Sequence, residues 1–406
     1  MSDVAERWTR LRALPELVAA AAATEPGGEL AAQSRLRDRF PADLVPLAFQ
    51  LTEVRRRAVG RFANPETLWA DSVALEQATS EHVARHKAAR FAEHGQPVAD
   101  LCCGMGSDAV AIARSVPVDA YDIRPEALLF TKWNAEANRC EQTVRTHQQD
   151  VTTRKWSGVV HFDPDRRPDG KRVRRLEDYR PALRFLQEVA RTANGALKLS
   201  PASNFGGKFN GCEAELIAVE RECREATIWF GAFAGTAPYR ATVLTGDARP
   251  ATLAGDPLDA WTDVSPLDRY LLDPNPALVR SGLLDLYCEQ SGTSRLDDAE
   301  EYLTAEALPS AKFAPFVTAY RVIDTARPKP KTINRLLRDR SAGHVEVKTR
   351  RVPVDANALE RKLSDRSDPN AARLTLFYAR LAGKTEAILT ERVGTDRHES
   401  ASAVGR

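Results

Sequence analysis

The chain of 406 residues lacks several features that would assign it to a specialised class of protein. Its formal net charge is only +2, because 58 lysines and arginines nearly balance 56 aspartates and glutamates. Such a chain is not polybasic as a whole, so any nucleic-acid surface must arise from local clustering of positive charge. The hydrophobic share of 43% and the charged share of 28% are those of an ordinary globular protein.

Cysteines and long apolar runs are also scarce. The six cysteines form no Cys-x-x-Cys pair and no cysteine–histidine group with zinc spacing, which argues against a disulfide scaffold and a metal site. We therefore expect a reduced, cytoplasmic compartment and no bound metal. The alanine-rich run 17–23 is too short to cross a bilayer, so we predict neither a membrane span nor a signal peptide.

The chain divides into regions with different patterns. Residues 1–90 have the apolar spacing of short helices. Residues 91–250 alternate strand and helix patterns, which is typical of a parallel sheet covered by helices on both faces. Residues 263–394 mix short helices and strands, and residues 395–406 have the composition of a disordered tail.

The central region carries seven predicted strands and four predicted helices. The strands are Val98–Cys102, Val118–Asp122, Val144–His147, Val159–Asp163, Ala196–Ser200, Thr227–Phe230 and Ala241–Leu244. The helices are Ser107–Arg114, Pro125–Asn138, Pro181–Thr192 and Glu213–Glu220. A further helix, 79–91, leads into the first strand, with Thr79 as its predicted N-cap. Ligands bind at the carboxyl ends of strands in such sheets, so we expect the site there.

The segment 98–113 is the most informative part of the chain. It has the pattern of a buried strand, a tight turn containing Gly104 and Gly106, and the first turns of a helix. Glycine lets the backbone approach a ligand at a helix N-terminus. By itself the glycine pattern fits enzymes that bind nicotinamide dinucleotides as well as those that bind an adenosyl group.

Acidic residues accompany four successive predicted strands. Asp100 lies within the first strand, Asp122 ends the second, Asp150 follows the third and Asp163 ends the fourth. A carboxylate accepts strong hydrogen bonds from two ribose hydroxyls, which suits Asp122, and Asp150 is placed to accept from an adenine amino group. Asp100 would anchor a methionyl ammonium, either directly or through water. This order favours S-adenosyl-L-methionine over a nicotinamide cofactor, which would leave Asp150 and the turn at Asp163 unexplained.

These segments resemble a known family over roughly residues 78–390. The resemblance is to the trimethylguanosine-synthase-like branch of class I S-adenosylmethionine-dependent methyltransferases. It rests on Thr79-x-Glu81-x-x-Ala84, Asp100-Leu-Cys-Cys-Gly-Met-Gly106 and Asp122-Ile-Arg-Pro-Glu126. A later part resembles the THUMP-like domain attached to such enzymes in bacteria, through Tyr270-Leu-Leu-Asp-Pro-Asn-Pro-Ala-Leu-Val-Arg-Ser-Gly282 and Tyr302-Leu-Thr304.

The resemblance implies an α/β fold with a Rossmann-like, seven-stranded class I methyltransferase sheet. A helical N-terminal region would precede this sheet, and an α+β THUMP-like domain would follow it. The implied activity is methyl transfer from S-adenosyl-L-methionine to RNA, either rRNA or tRNA. The predicted cofactor-binding residues are Asp100, Cys102, Gly104, Gly106, Asp108, Asp122, Ile123, Asp150 and Val151.

The turn after the fourth strand supplies the predicted catalytic residues, Asp163 and Pro164. Methyltransferases that act on exocyclic amines carry Asp/Asn-Pro-Pro-aromatic there, and the carboxylate or amide accepts a hydrogen bond from the acceptor amine. This chain continues with Asp165, so the second proline and the stacking aromatic are missing. Tyr179, Phe205, Trp229 and Phe233 are candidates for a replacement aromatic, but we expect each to belong to the core.

Arg166 and Arg167 follow in the same turn and are predicted substrate-binding residues. Their planar guanidinium groups suit phosphate or carboxylate. In the alternative interpretation, Asp163 caps the turn and Arg166 forms a structural ion pair with Asp165 or Asp169.

Two further clusters carry charge. The segment 321–351 concentrates positive residues, among which Arg335, Arg338 and Lys348 are predicted to contact an RNA backbone; a solvated surface is the alternative. His82 and His86 lie four residues apart, as metal ligands on a helix do, but no acid has matching spacing. We interpret these histidines as part of a solvated helix face.

Two other functions stay open at this point. The chain could methylate a protein or a small acidic molecule, with Arg166 and Arg167 clamping a carboxylate. It could also be a non-catalytic RNA-binding module that retains a cofactor pocket. We expect a monomer that makes no contact with a membrane.

Overall fold

The computed structural model describes residues 3–25, 27–166, 173, 175–246, 249–340, 342–363 and 372–394. The predicted tail 395–406 and the substrate-binding candidate Arg167 lie outside this described part. The chain forms two compact units. The first comprises residues 1–219 with 224–238, and the second comprises residues 220–223 with those from 239 onward.

The first unit begins with six helices. They are α1 (Asp3–Arg12), α2 (Pro15–Ala22), α3 (Glu29–Arg37), α4 (Val45–Ala58), α5 (Ser72–Gln77) and α6 (Glu81–His94). The apolar faces of the first five helices form one core, which includes Trp8, Leu51 and Leu75. Phe130 from the next part of the chain joins this core, and its ring centroid lies 4.9 Å from that of Trp8. The helical region is therefore built onto the sheet-containing part and not separate from it.

Strands and helices then alternate. The strands are β1 (Val98–Leu101), β2 (Val118–Asp122), β3 (Val144–Gln148), β4 (Val159–Phe162), β5 (Asn194–Leu199), β6 (Glu213–Val219) and β7 (Glu222–Phe230). The helices between them are α7 (Ser107–Ala113), α8 (Pro125–Ala137) and α9 (Leu183–Thr192).

Within the first unit the strands lie in the order β3-β2-β1-β4-β5-β7-β6. The pairs from β3 to β5 are parallel, and β7 runs antiparallel to β5. Parallel pairing brings the carboxyl ends of β1 to β4 to one edge, where Asp122 ends β2 and Asp163 follows β4, on either side of β1. The predicted Rossmann-like sheet is confirmed, although the sheet has more than the seven strands predicted.

Two local predictions were wrong. The segment predicted as a helix at Glu213–Glu220 is strand β6, whose buried carboxylates find partners on α6 and β7, as described below. Helix α6 has Ser80 at its N-cap position, without a side-chain capping bond. The hydroxyl of Thr79 instead donates to Asp108.

In the part of the chain that the structure describes, the second unit contains a hairpin, a sheet and four helices. The strands are β8 (Tyr239–Leu244), β9 (Ala251–Gly255), β10 (Tyr270–Pro274), β11 (Ser294–Arg295), β12 (Leu303–Ala305), β13 (Val317–Ala326), β14 (Ala342–Thr349), β15 (Ala372–Leu381) and β16 (Lys384–Arg392). The helices are α10 (Pro276–Ser281), α11 (Leu284–Ser291), α12 (Pro330–Asp339) and α13 (Ala356–Leu363).

The sheet of the second unit has the order β11-β12-β10-β13-β16-β15-β14. Its core includes Tyr302, Tyr320 and Phe377, whose rings meet edge to face. Among the described residues, no helix has both the length and the apolar character needed to cross a membrane.

A glycine in β5 yields a test of the central sheet. Gly195 has φ +136°, and a Cβ there would lie 1.8 Å from the carbonyl oxygen of Val160 on the neighbouring strand. We expect Gly195→Ala to lower the free energy of unfolding by about 3 kcal/mol or more, because β4 and β5 would have to separate. Urea denaturation measures the change.

Gly206→Ala is the matched control, since a Cβ at Gly206 meets nothing within 4 Å. Equal destabilisation by both variants would contradict the tight packing of β4 against β5.

Candidate active site

A cavity of about 610 Å³ opens at the carboxyl ends of the first four strands. Its size falls within the range of about 300–1,000 Å³ that is usual for small-molecule sites. The strand ends contribute Cys102–Met105 after β1, Asp122–Arg124 after β2, Gln149–Thr152 after β3, and Asp163 and Asp165 after β4. The sequence placed the site at this edge, and the cavity lies there.

The N-terminal helical region forms another wall of the cavity. Val73, Ala74 and Gln77 of α5 line it, together with Ala78 and Thr79. Sequence reasoning missed this contribution, because the apolar spacing of residues 1–90 shows helices but not what they cover.

The two glycines of the turn after β1 have different structural roles. Gly104 lines the cavity at φ +59°, and a Cβ there would enter open space. Gly106 has φ +80°, and its Cβ would meet Thr131 of α8 at 2.8 Å, so this glycine permits close packing of the turn against α8. Gly106 does not line the main cavity. Cys102 lines the cavity and also has a positive φ, at 62°.

Asp122 both holds the turn and lines the cavity. Its Oδ2 accepts from the backbone N–H of Gly104 at 3.0 Å, and its Oδ1 accepts from that of Arg124 at 2.9 Å. Each carboxylate oxygen can accept more than one hydrogen bond. The capping of the turn is therefore compatible with the predicted binding of two ribose hydroxyls.

The next strand end supplies the predicted adenine side of the site. Asp150 Oδ1 accepts from the backbone N–H and the hydroxyl of Thr152, at 2.8 and 2.7 Å. The backbone bond from Thr152 lowers the pKa of Asp150, which keeps it an acceptor. Val151 and Ile123 line the same part of the cavity, and Ile123 is 63% exposed. An apolar side chain held open at a cavity mouth suits contact with the face of a base.

Asp100 lies beneath the cavity and does not line it. It pairs in register with His161 on β4, and its Oδ1 accepts from Nδ1 of that histidine at 2.7 Å. Burial raises the pKa of Asp100, and its Oδ2 has no hydrogen-bond partner among the described residues. Any role of Asp100 toward the cofactor would be indirect.

Asp108 lines the cavity and belongs to a buried ionic network. The ammonium of Lys87, which is 0% exposed, lies 2.9 Å from Asp108 Oδ1 and 2.6 Å from Glu225 Oε1. Burial alone would lower the pKa of Lys87, but these two carboxylates raise it above its ordinary value. Burial would raise the pKa of Asp108, and the charge of Lys87 lowers it well below its usual range. Both groups are therefore ionised.

A second set of buried carboxylates fixes α6 to β6. Glu215 Oε1 lies 2.8 Å from Nε2 of His86, and its Oε2 accepts from the indole N–H of Trp229 at 2.7 Å. Glu213 pairs with Arg90 at 2.6 Å. The interpretation of His86 as a solvated residue was wrong, because its partner comes from a strand more than a hundred positions away. Among the described residues, no cluster of three or more acidic, histidine or cysteine side chains is arranged to hold a metal ion.

Asp163 lines the cavity at the end of β4, and its side chain is 28% exposed. Its Oδ2 lies 2.7 Å from Nζ of Lys198 on β5. Burial raises the pKa of Asp163, and the charge of Lys198 opposes that rise. Pro164 is buried and does not line the cavity. Sequence reasoning did not single out Lys198, because a lysine within an apolar strand gives no sign of its partner.

Arg180 lines this cavity, whereas Arg166, the predicted substrate-binding arginine of the described part, does not. Arg166 is half-buried. Arg180 reaches the cavity because residue 165 pairs with residue 180 in a short antiparallel bridge, in which the backbone N–H of Asp165 donates to the carbonyl of Arg180 at 2.7 Å. Tyr179, Trp229 and Phe233 are buried core residues, as expected, but Phe205 is only half-buried, so that expectation was wrong for it.

The cysteines beside the cofactor turn are not nucleophiles. Burial, followed by the charge of Asp122, raises the pKa of Cys102 and Cys103 well above the ordinary thiol value. Both stay protonated thiols at neutral pH. Cys103 is buried, whereas Cys102 is half-buried where it lines the cavity.

The predicted RNA contacts lie in the second unit and differ in their surroundings. Arg335 and Arg338 are exposed on α12 and make no ion pair with any residue that the structure describes. Lys348 on β14 is half-buried, with its Nζ 3.3 Å from Asp273 and 3.5 Å from Glu346. Of the three predicted RNA contacts, Arg335 and Arg338 are therefore exposed cations without an ion-pair partner in the described part, whereas Lys348 has two such partners.

The cavity suits an adenosyl sulfonium donor. Besides Asp122 and Asp150 at its rim, it is lined by Ser107, whose buried hydroxyl has no hydrogen-bond partner among the described residues. Gly104 presents backbone without a side chain, so a ligand can approach it closely. Acceptors for ribose and adenine, an apolar wall and an unused hydroxyl donor are thus combined in one cavity.

Comparisons with known proteins agree with this geometry. The family model described as THUMP domain-like matches residues 317–392. Two relatives from Mycobacterium tuberculosis, strains CDC 1551 and H37Rv, are named as uncharacterized S-adenosylmethionine-dependent methyltransferases. Each is 32% identical over 360 residues, covering 85% of this chain and 96% of the relative.

A solved structure from Porphyromonas gingivalis W83, provisionally described as a methyltransferase, has the same fold. The TM-score is 0.71 at 18% identity, and the match covers 94% of this chain and 99% of that chain. The chain belongs to the S-adenosylmethionine-dependent methyltransferases, with a THUMP-like domain in its C-terminal part. The predicted fold class, enzyme class and cofactor are confirmed.

The position of Asp122 gives a test of the cofactor site. We expect Asp122→Ala to weaken binding of S-adenosylhomocysteine by about 1.5–3 kcal/mol, because charge-assisted hydrogen bonds to ribose are lost together with the brace on Gly104. Isothermal titration calorimetry measures this affinity. Asp119→Ala is the control, since Asp119 lies on the same strand and pairs with His147 away from the cavity. Wild-type affinity in the Asp122 variant would refute the assignment.

Proposed function

We propose that the protein transfers the methyl group of S-adenosyl-L-methionine to RNA. The observation that carries the proposal is the exposed basic surface of the THUMP-like part, which stands out in a chain of net charge +2. Lys329, Lys331, Arg335 and Arg338 are all exposed on or beside α12. A cluster of exposed cations suits a phosphate backbone, which binds through charge without regard to sequence.

Asp163 is proposed to act on the acceptor. When bound, the cofactor supplies a methyl group on a sulfonium, which is already activated for transfer. Asp163 would accept a hydrogen bond from the acceptor N–H or O–H and take its proton as the new bond to the methyl carbon forms. Alignment of donor and acceptor would supply most of the remaining acceleration.

The finer assignments stay predictions. They are membership of the trimethylguanosine-synthase-like branch, rRNA or tRNA as the acceptor, a cytoplasmic location and a monomeric state. The turn at Asp163 supports methyl transfer in general and not one acceptor atom, because it lacks the second proline and the aromatic of the amine-methylating pattern.

Transfer of labelled methyl groups tests the proposal. The protein is incubated with methyl-labelled cofactor and separate RNA, protein and small-molecule fractions of a cell extract. We expect label in the RNA fraction, from which ribonuclease digestion releases it. We expect Asp163→Ala to lower the rate of this labelling by about a hundredfold or more while binding of S-adenosylhomocysteine persists. Label confined to the protein or small-molecule fraction would overturn the RNA proposal.

A second experiment tests the basic surface. We expect Arg335→Gln combined with Arg338→Gln to weaken RNA binding about threefold to thirtyfold, and to flatten the slope of log affinity against log salt by about 1 to 2. Fluorescence anisotropy over a salt series measures both. Lys348 is left unchanged in this variant, since its substitution would also disturb Asp273.

The matched control removes two arginines from the first unit. Arg35 and Arg37 are exposed on α3, so Arg35→Gln with Arg37→Gln makes the same change in net charge elsewhere. If both double variants lower affinity and salt slope equally, the effect is one of net charge and α12 is not the contact surface.

A further inference from the structure

Lys198 is an unusual residue for its position. It lies within β5, between the buried residues Leu197 and Leu199, and it is 7% exposed. A buried ammonium group is costly unless ionic and hydrogen-bonding partners surround it. A lysine at this place therefore calls for an explanation beyond packing.

The ammonium of Lys198 joins two walls of the cavity. Its Nζ donates to Oδ2 of Asp163 at 2.7 Å and to the backbone carbonyl of Gln77 at 2.9 Å. Gln77 is the last residue of α5, where helix carbonyls lack partners within the helix. Its side-chain amide donates to Oδ1 of Asp165 at 3.2 Å. Two hydrogen-bonded connections thus fasten the end of α5 to the turn after β4.

We infer that Lys198 is a positioning residue for methyl transfer. It holds the Asp163 carboxylate in place at the cavity and keeps the end of α5 against the same turn. The inference rests on the proposed role of Asp163 toward the acceptor, but not on the acceptor being RNA. Neither the comparisons nor the amino-acid pattern around Asp163 points to a lysine on β5.

The charges around Asp163 show why this lysine matters. Asp100 on β1 and Asp108 on α7 are negative groups that face it, and His161 on β4 and Lys198 on β5 are the facing groups that can carry positive charge. Burial and the nearby carboxylate of Asp108 both raise the pKa of Asp163, while Lys198 lowers it. Without Lys198, Asp163 would hold its proton to higher pH and would stop accepting one from the substrate.

The test compares Lys198→Met with Lys198→Arg. The substrate is whichever fraction of the cell extract the wild-type enzyme labels, so that failure of the RNA proposal leaves this experiment intact. Initial rates of methyl transfer are measured over a pH series at saturating cofactor. Binding of S-adenosylhomocysteine and the thermal midpoint are measured for each variant, so that loss of folding is recognised.

Lys208→Met is the matched control. Lys208 also forms a salt bridge, with Glu177, but neither residue lines the cavity. We expect its rate and pH profile to equal those of the wild type.

For Lys198→Met we expect at least about a tenfold loss of rate near neutral pH, and an acid limb of the pH profile moved upward by about one pH unit. The sign follows from the loss of the charge that favours ionised Asp163. Lys198→Arg keeps the charge, so its acid limb should stay near that of the wild type even if its rate is lower. A positioning role predicts this separation of the two variants, whereas a purely structural role does not.

Two outcomes would overturn the inference. One is an unchanged acid limb in Lys198→Met, whatever its rate. The other is a loss of rate in Lys198→Met that is matched by losses of cofactor affinity and thermal stability, all three of which Lys198→Arg restores together. In the second case Lys198 would support the fold only.

Discussion

The first unit depends on the ammonium group of Lys87. It is fully buried on α6 and lies within 3 Å of carboxylates from two other elements, Asp108 on α7 and Glu225 on β7. Removal of one member of such a network leaves an uncompensated buried charge, at a cost of about 3–5 kcal/mol. Since Asp108 also lines the cavity, the same network that fixes the helix before the sheet shapes the wall of the cofactor site.

The cavity has two sides with different physical character. On the side of β1 to β3, backbone groups and the acceptors Asp122 and Asp150 surround a space suited to an adenosyl ligand. On the side of β4 and β5, a carboxylate and an ammonium lie in contact at Asp163 and Lys198. Residues of helix α5 line the same cavity. Both sides are therefore built from successive crossovers of one sheet.

Much of this could be predicted along the chain, and the misses have a common cause. The cofactor site could be predicted because Gly104, Gly106 and Asp122 lie close together in sequence and form a recognisable pattern. Glu215 and Lys198 have partners that lie far away in sequence. The partner of Glu215 is His86, on a helix much earlier in the chain, and the partner of Lys198 is Asp163, which follows the neighbouring strand β4. Glu213–Val219 was accordingly predicted as a helix, since charged residues in a strand look exposed until their partners are known.

The sequence by itself determined the alternation of strands and helices, the edge of the sheet that carries the site, and the class of cofactor. These follow from local rules, because side-chain periodicity and turn chemistry act over a few residues. Only the tertiary structure decided which charges are buried together, that α5 forms a cavity wall, and that Arg180 lines the cavity whereas Arg166 does not. Those features depend on contacts between distant segments, which strand order and register create and local pattern does not encode.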